Sequence, residues 1–417
     1  MRSSRSVFGL LFRTWARAWR AALVLVTLPW VVGLVAASCS SHALSEEPGL
    51  SPRAQLHYAW AREHLEEDFD GYGIIDDLGV SAFDVIILSH LAVGLANVAE
   101  LEPTRRDEVR PLLEEVVRRA TSAEVSPTGV PAERATIGDH NLYASHLLLI
   151  LGLAHRFDVG AHDPLATRLA RHLRERSLAS DDAHARSYPG SARWPADQAV
   201  TLAALDLHDR EHGTSFAARP IARWLAWLRR HQTDGLPWST TGALPYARLP
   251  RGCALSWMSM WMGQFAPDEG ARLYGAYRAR HAISWYGWRG FREWPPGHDG
   301  GSDVDAGPVL FGWGTAATGI GLGAARLYGD EAQYAGIERI ADTVGLRVPG
   351  SAAYLLAPTL GQAILFAGET ATFWHERPAR LDRTEREWPL GPLALLALLL
   401  AIDLALLRGI ARVGRRS

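Results

Sequence analysis

The chain has 417 residues, 48% of them apolar and 21% charged, with a net charge of −2. Those values exclude a disordered or collagen-like chain and leave ample apolar surface for a large core. All 43 basic residues are Arg, and without Lys a Schiff-base enzyme, a pyridoxal-phosphate enzyme and a Walker-type phosphate loop are all excluded. The charges form no basic stripe, so no nucleic-acid partner is expected. Two cysteines, Cys39 and Cys253, cannot build a disulfide framework.

The N-terminal segment carries Arg2, Arg5, Arg13, Arg17 and Arg20 without an acid, and then seventeen uncharged residues from Ala21 to Ala37. A basic region followed by an apolar one is the layout of a secretory signal, and this apolar run is also nearly long enough to span a bilayer. Ala36-Ala37-Ser38-Cys39 loosely resembles a bacterial lipobox, so residues 1–39 are expected to be a cleaved signal, with or without lipidated Cys39, or a retained anchor.

From residue 50 to 370 helical periodicity alternates with Gly/Pro/Asp-rich connections, and no run of alternating strands is predicted. Helices are predicted over 53–68, 83–99, 106–121, 140–156, 163–178, 195–212, 216–232, 253–265, 267–281, 308–328, 331–345 and 351–368. The even members are rich in Ala, Gly, Leu and Trp. Their neighbours, such as 106–120 and 164–177, are Arg/Glu-rich with one apolar stripe. Helices apolar all round are buried and amphipathic ones cover them. Six such hairpins at a spacing of about 43 to 58 residues predict an all-α fold, an (α/α)6 toroid, with an open solenoid as the alternative.

The distinctive stretches Thr136–Tyr143, Arg193–Asp197, Leu249–Cys253 and Asp303–Pro308 precede inner helices, so they are expected to meet at one mouth. Asp139, Tyr143 and His146 fall on one helical face, where His146 can act as acid or base and its neighbours orient it. Each residue also has an ordinary structural role available: Asp139 as a cap, Tyr143 and His146 as satisfied core residues. Asp197 follows Trp194-Pro195 in a first helical turn, where a carboxylate suits the helix dipole, and Arg193 and Trp194 stand beside it. Asp303 and Asp305 could cap a loop, share a proton or bind a metal, with Glu293 in the same long loop. No metal-ligand motif accompanies them, so neither a metal nor a cofactor is expected. Asp139, Arg193, Trp194, Arg251, Trp257, Glu293 and Asp303 are the expected substrate-binding residues. Cys253 opens an inner helix, a position that stabilises a thiolate, although free cysteines are usually buried hydrophobes. Trp257 and the other Trp could stack on a substrate or fill the core. Gly319-Ile-Gly321-Leu-Gly323 lies inside a predicted helix and signals close helix packing.

At Val85-Ile-Ile with Gly94-Leu-Ala, Asn141-Leu-Tyr-Ala-Ser-His146-Leu with Gly152-Leu, Asp209-Arg-Glu-His-Gly213 and Pro349-Gly-Ser351, the sequence resembles the linalool dehydratase-isomerase family. The resemblance runs from about Val85 to Gly368. It implies a periplasmic (α/α)6 enzyme that moves water on and off a small terpene alcohol. It places the family's active-site His on His146, with Tyr143 three residues before it. A family cysteine corresponds to Asp197, its partner cysteine has no counterpart, and two family tyrosines correspond to Leu88 and Cys253. The implied function is therefore acid–base chemistry of lyase, hydratase or isomerase type, with His146, Asp197, Tyr143 and Asp305 catalytic and His146 paired with Asp197. In that pair an ionised Asp197 and a protonated His146 are expected. A glycan-active hydrolase, lyase or epimerase and a non-catalytic binding or assembly module are the alternatives.

Pro389 to Leu407 is a nineteen-residue apolar stretch with one charge, Asp403, followed by Arg408, Arg412, Arg415 and Arg416. It predicts a transmembrane helix over 389–407 after a linker at 371–388, with a cytoplasmic Arg-rich tail at 408–417. Asp403 is expected to reach the interface or pair with an Arg. The positive-inside rule puts both Arg clusters in the cytoplasm and the domain between them outside.

Overall fold

A computed structural model describes residues 3–39, 49–66, 82–242, 247–347, 354, 357–375 and 388–415. Among these residues the chain is mostly helical. The helices are α1 (Ser3–Cys39), α2 (Pro52–Glu66), α3 (Ala82–Leu101), α4 (Arg106–Ala120), α5 (Asn141–His155), α6 (Asp163–Ala179) and α7 (Pro195–His212). They continue with α8 (Ala218–Arg230), α9 (Gly252–Phe265), α10 (Pro267–His281), α11 (Thr315–Leu327), α12 (Glu331–Val344), α13 (Thr359–Thr370) and α14 (Leu390–Arg415).

Composition sorts these helices into two layers. In α5 every residue except Leu142 and His155 is buried, whereas α4 buries only Val109, Leu112, Leu113, Val116, Val117 and Ala120, one stripe at helical spacing. Helices α3, α5, α7, α9, α11 and α13 each pack against the next, and α13 returns to pack against α3. Helix α2 packs on α13, α3 and α4; α4 covers α3 and α5; α6 covers α5 and α7; α8 lies on α6 and α7; α10 covers α9; and α12 covers α11. The inner helices approach closely where a side chain is missing. A Cβ on Gly94 would stand 2.3 Å from the Phe366 ring, and one on Gly152 would stand 2.9 Å from Leu207.

Among the described residues three short two-stranded antiparallel hairpins interrupt the helices: β1 (Gln232–Thr233) with β2 (Leu236–Pro237), β3 (Ala282–Trp285) with β4 (Trp288–Phe291), and β5 (Val309–Leu310) with β6 (Trp313–Gly314). Each turns through two residues at positive φ, Asp234-Gly235, Tyr286-Gly287 and Phe311-Gly312, the conformation whose twist matches paired strands. The third hairpin displaces the tenth predicted helix, which begins at Thr315 rather than 308. Only the later part of the twelfth, from Thr359, is described as helix. Pro349-Gly-Ser351 lies outside the described residues.

Beneath α2, buried Arg53 faces three buried carboxylates. It bonds Asp342, lies 2.9 Å from Glu369 Oε1 and 3.8 Å from Glu338 Oε1, and also reaches Tyr354. His57 meets the second oxygen of Glu369 at 2.5 Å. This cluster joins α2 to α12 and α13.

Among the described residues three helices are long and apolar enough to cross a membrane. The span in α3 is 83% buried and belongs to the domain interior, whereas those in α1 and α14 are 11% buried. Helices α1 and α14 pack along each other, and α1 also touches α12. Arg20 lies beside Gly409 and Thr27 beside Asp403, so α1 and α14 run antiparallel, and Gly33 lies beside Asp342 of α12. The Thr27 hydroxyl donates to Asp403 Oδ1 at 2.7 Å. Asp403 is buried, with its hydrogen-bond partner on α1. Where α14 begins, the Gly391 N–H donates to the Tyr286 carbonyl at 2.6 Å.

Candidate acid–base site

The helix starts expected to converge are linked by hydrogen bonds. The Asn141 amide and the Leu142 N–H, opening α5, donate to the Arg186 and Ser187 carbonyls in the loop before α7. The Thr241 N–H, before α9, donates to the Arg193 carbonyl, and the Gly252 N–H, opening α9, donates to the Glu293 carbonyl after β4. Arg251 bonds Glu293 Oε1 at 2.7 Å and Asp303 at 2.8 Å, and its guanidinium lies 4.8 Å from the Trp294 ring centroid.

Asp197 occupies the first turn of α7 behind Pro195, with Trp194 in extended conformation before it. Its carboxylate accepts a hydrogen bond from the Ser187 hydroxyl. Burial pushes the Asp197 carboxyl up to about 7, the nearby Asp305 charge adds to that, and the Ser187 hydrogen bond opposes it. Tyr188 and Trp194 form an aromatic wall, ring centroids 5.6 Å apart, and the Tyr188 hydroxyl is also raised, by burial and then by Asp305 and Asp197.

His146 lies deeper. Ser145 Oγ meets Thr201 Oγ1 at 2.7 Å, and that hydroxyl donates to the Asp197 carbonyl. Residue 145 is therefore level with a point one turn inside Asp197, about 6 Å along the axis. The His146 ring is fully buried; its Nδ1 meets Ser89 Oγ at 2.7 Å and its Nε2 has no protein partner. His90, whose Nδ1 meets the Ile86 carbonyl at 2.8 Å, has its ring centroid 6.5 Å from that of His146. The Trp257 centroid is 5.3 Å from His90 and 5.9 Å from His146. His90 Nε2 and Trp257 Nε1 are likewise without protein partners. Three polar ring edges thus remain for a polar ligand or water.

Protonation runs opposite to the expectation of an ionised Asp197 beside a cationic His146. Burial, reinforced by His90, holds His146 well below the ordinary histidine range, so the ring is neutral. Asp197 is the group that retains a proton near neutrality. The helix N-terminus that suggested the reverse is outweighed by desolvation.

The remaining residues separate. Tyr143 is buried but turned toward α4, where its hydroxyl donates to the Ala120 carbonyl at 2.9 Å. Asp139 pairs with Arg176 at 3.3 Å, and Arg193 pairs with Asp182 at 3.3 Å. Asp303 accepts the Ala306 N–H at 2.8 Å, capping its own loop. Glu293 is fully buried and accepts from the Cys253 N–H at 3.0 Å and thiol at 3.2 Å. Burial and that carboxylate push the Cys253 thiol well up, so no thiolate forms there. Ser89, His90, Ser187 and Tyr188 belong to the site without having been singled out in the sequence. A His inside an apolar helix, as at His90, was the available signal. The Asp209 motif serves the fold, because its carboxylate accepts the Phe216 and Ala217 N–H groups at 2.8 and 2.7 Å and so fixes the turn into α8.

No protein-family model matches the chain, and no curated protein matches it either.

Proposed function

We propose that the chain is a membrane-anchored, extracytoplasmic acid–base enzyme of lyase, hydratase or isomerase type, built on an (α/α)6 toroid like that of linalool dehydratase-isomerase. The carrying observation is the contrast between a half-buried Asp197 carboxyl that keeps its proton to about 7 and a neutral His146 one helical turn deeper with a free Nε2. In this reading protonated Asp197 gives a proton to a departing hydroxyl or an alkene carbon. Neutral His146 receives one at Nε2, with Ser89 fixing the ring through Nδ1. Asp305 sustains the proton on Asp197 through its charge. A carboxyl acid near its working pH and a neutral imidazole meet the requirements of general acid–base catalysis.

The decisive test is solvent exchange. The full chain in detergent is incubated in D2O with a panel of small allylic and terpene alcohols and with oligosaccharides, and products are read by mass spectrometry. Deuterium entering an alcohol or its alkene is the expected result. A preparation that is folded yet exchanges nothing across the panel would remove the proposal. Release of new reducing ends would instead favour the glycan-active reading, which is supported by the Asp197–Asp305 neighbourhood and the Tyr188–Trp194 wall, since sugars stack on aromatics and glycosidases use two carboxyls.

The anchoring is supported by α1 and α14. Their antiparallel course puts Arg20 and Gly409 at one end and the domain at the other, an arrangement in which both Arg clusters are cytoplasmic. Exposed Trp285, Tyr286 and Trp388 gather where α14 enters the domain, as aromatic residues do at a bilayer interface. A reporter fused after Ser417 is expected to read as cytoplasmic and one inserted at Thr240 as external; a cytoplasmic signal from Thr240 would reverse the topology.

A further inference from the structure

At the other end of α5 and α7, we propose that His155, Asp163 and His212 bind a divalent transition-metal ion of the zinc class. His155 closes α5, Asp163 opens α6 and His212 closes α7. Fifteen residues of α7 separate His212 from Asp197, about 22 Å, so this site is distinct from the acid–base site.

The donor atoms of the three residues all lie within 4.8 Å of one another. His155 Nδ1 is 3.0 Å from Asp163 Oδ1, and His212 Nε2 is 3.5 Å from the same oxygen. Ligands at the zinc distance of about 2.0–2.1 Å in tetrahedral array stand about 3.3 Å apart. Two imidazoles and a carboxylate suit a zinc-class ion and leave its fourth position for water. The backbone makes room: a Cβ on Gly160 would stand 3.4 Å from Asp163 Oδ2 and 3.7 Å from His155 Nδ1.

A second observation points to the same place. His208 is fully buried, and neither ring nitrogen has a partner. Its ring stacks on His212 at a centroid distance of 4.2 Å, and the His155 ring lies 4.3 Å from His212 on its own account. A buried imidazole with both nitrogens unanswered calls for an ion or water beside it. Hydrogen bonds among His155, Asp163 and His212 alone leave His208 unexplained. The cations close by are already answered: Arg156 pairs with Glu100 at 2.7 Å and Glu211 at 3.4 Å, and Arg210 pairs with Asp206 at 2.8 Å.

The test strips the full chain in detergent with a chelator and then titrates it with Zn²⁺ alone and with Co²⁺ alone, counting bound ions by equilibrium dialysis. Wild type is expected to hold one tightly bound ion more than the H155A/H212A double variant. Its Co²⁺ form should develop visible ligand-field absorption that the double variant lacks. Asp163→Asn keeps the shape of the side chain and guards against a variant that fails to fold. It should weaken binding by about 100-fold or more, at or beyond the upper end of what a lost outer partner costs. Equal stoichiometry and affinity in wild type, the double variant and Asp163→Asn would overturn the proposal, placing any bound ion among the other histidines.

Discussion

Replacing Arg53 by alanine is expected to destabilise the domain by about 3–5 kcal/mol, the loss that follows when one partner of a buried ionic cluster is removed. The guanidinium stands among Asp342, Glu369 and Glu338, all of them buried. Without it three carboxylates face one another where water cannot answer them. The cluster also links α2 to α12 and α13, so the loss should appear as cooperative unfolding rather than local fraying. Denaturant unfolding of the full chain in detergent measures it: the midpoint should fall with the slope unchanged. Arg118→Ala provides the contrast. Arg118 pairs with Glu115 on the exposed face of α4, and its loss should stay within about 1 kcal/mol. Similar midpoints for the two variants would show that the buried cluster contributes no more than a surface pair.

Asp197→Asn is expected to lower turnover of any substrate found by exchange about 10²–10⁴-fold, the usual contribution of a positioned acid. Rate in the wild type should fall as pH rises through about 7, because the proton on Asp197 is the one delivered, and Asp197→Asn should lose that limb. Stability responds with the same sign. The unfolded carboxyl releases its proton near 3.9 while the folded one holds it to about 7, so the stability tied to the protonated form is complete below about 4. It is lost progressively as pH rises to about 7. Wild type should therefore lose ground to Asp197→Asn between pH 5 and pH 8. Tyr143→Phe should leave rate and pH profile near wild type, since that hydroxyl is committed to the Ala120 carbonyl. A flat wild-type profile, or a Tyr143→Phe defect as large as that of Asp197→Asn, would move the chemistry elsewhere.

The sequence carried the helical layers well, because apolar periodicity and Gly/Pro stops report burial directly. The helix predicted over 163–178 runs from Asp163 to Ala179, and that over 195–212 runs from Pro195 to His212. The hairpins were harder. Asp234-Gly235 is a strong turn signal beside strands only two residues long, and Tyr286-Gly287 and Phe311-Gly312 place bulky residues at positive φ that only the surrounding fold imposes. Facing positions were legible only coarsely: residues three apart point about 60° apart around a helix, enough to send Tyr143 toward α4 and His146 inward. Protonation was misjudged because burial is a property of the assembled interior. The ligand set at 155, 163 and 212 has no local spacing to read, since helix ends bring it together.

The meeting of α3 with α13 has a consequence for synthesis. Gly94 receives the Phe366 ring, so the first inner helix finds its last neighbour only after nearly the whole domain has been made. Until then one apolar flank of α3 stands open, and a chain that stalls before α13 leaves that flank exposed to aggregation. Contacts of such long sequence separation also slow folding. The pairing of α1 with α14 shortens the search: once α14 packs along α1, the two edges that must join are tethered through a helix pair rather than through free chain, and part of the closure entropy has already been met. A chain whose α14 is replaced by a soluble tail should accordingly refold more slowly than the full chain, with the same final helical content.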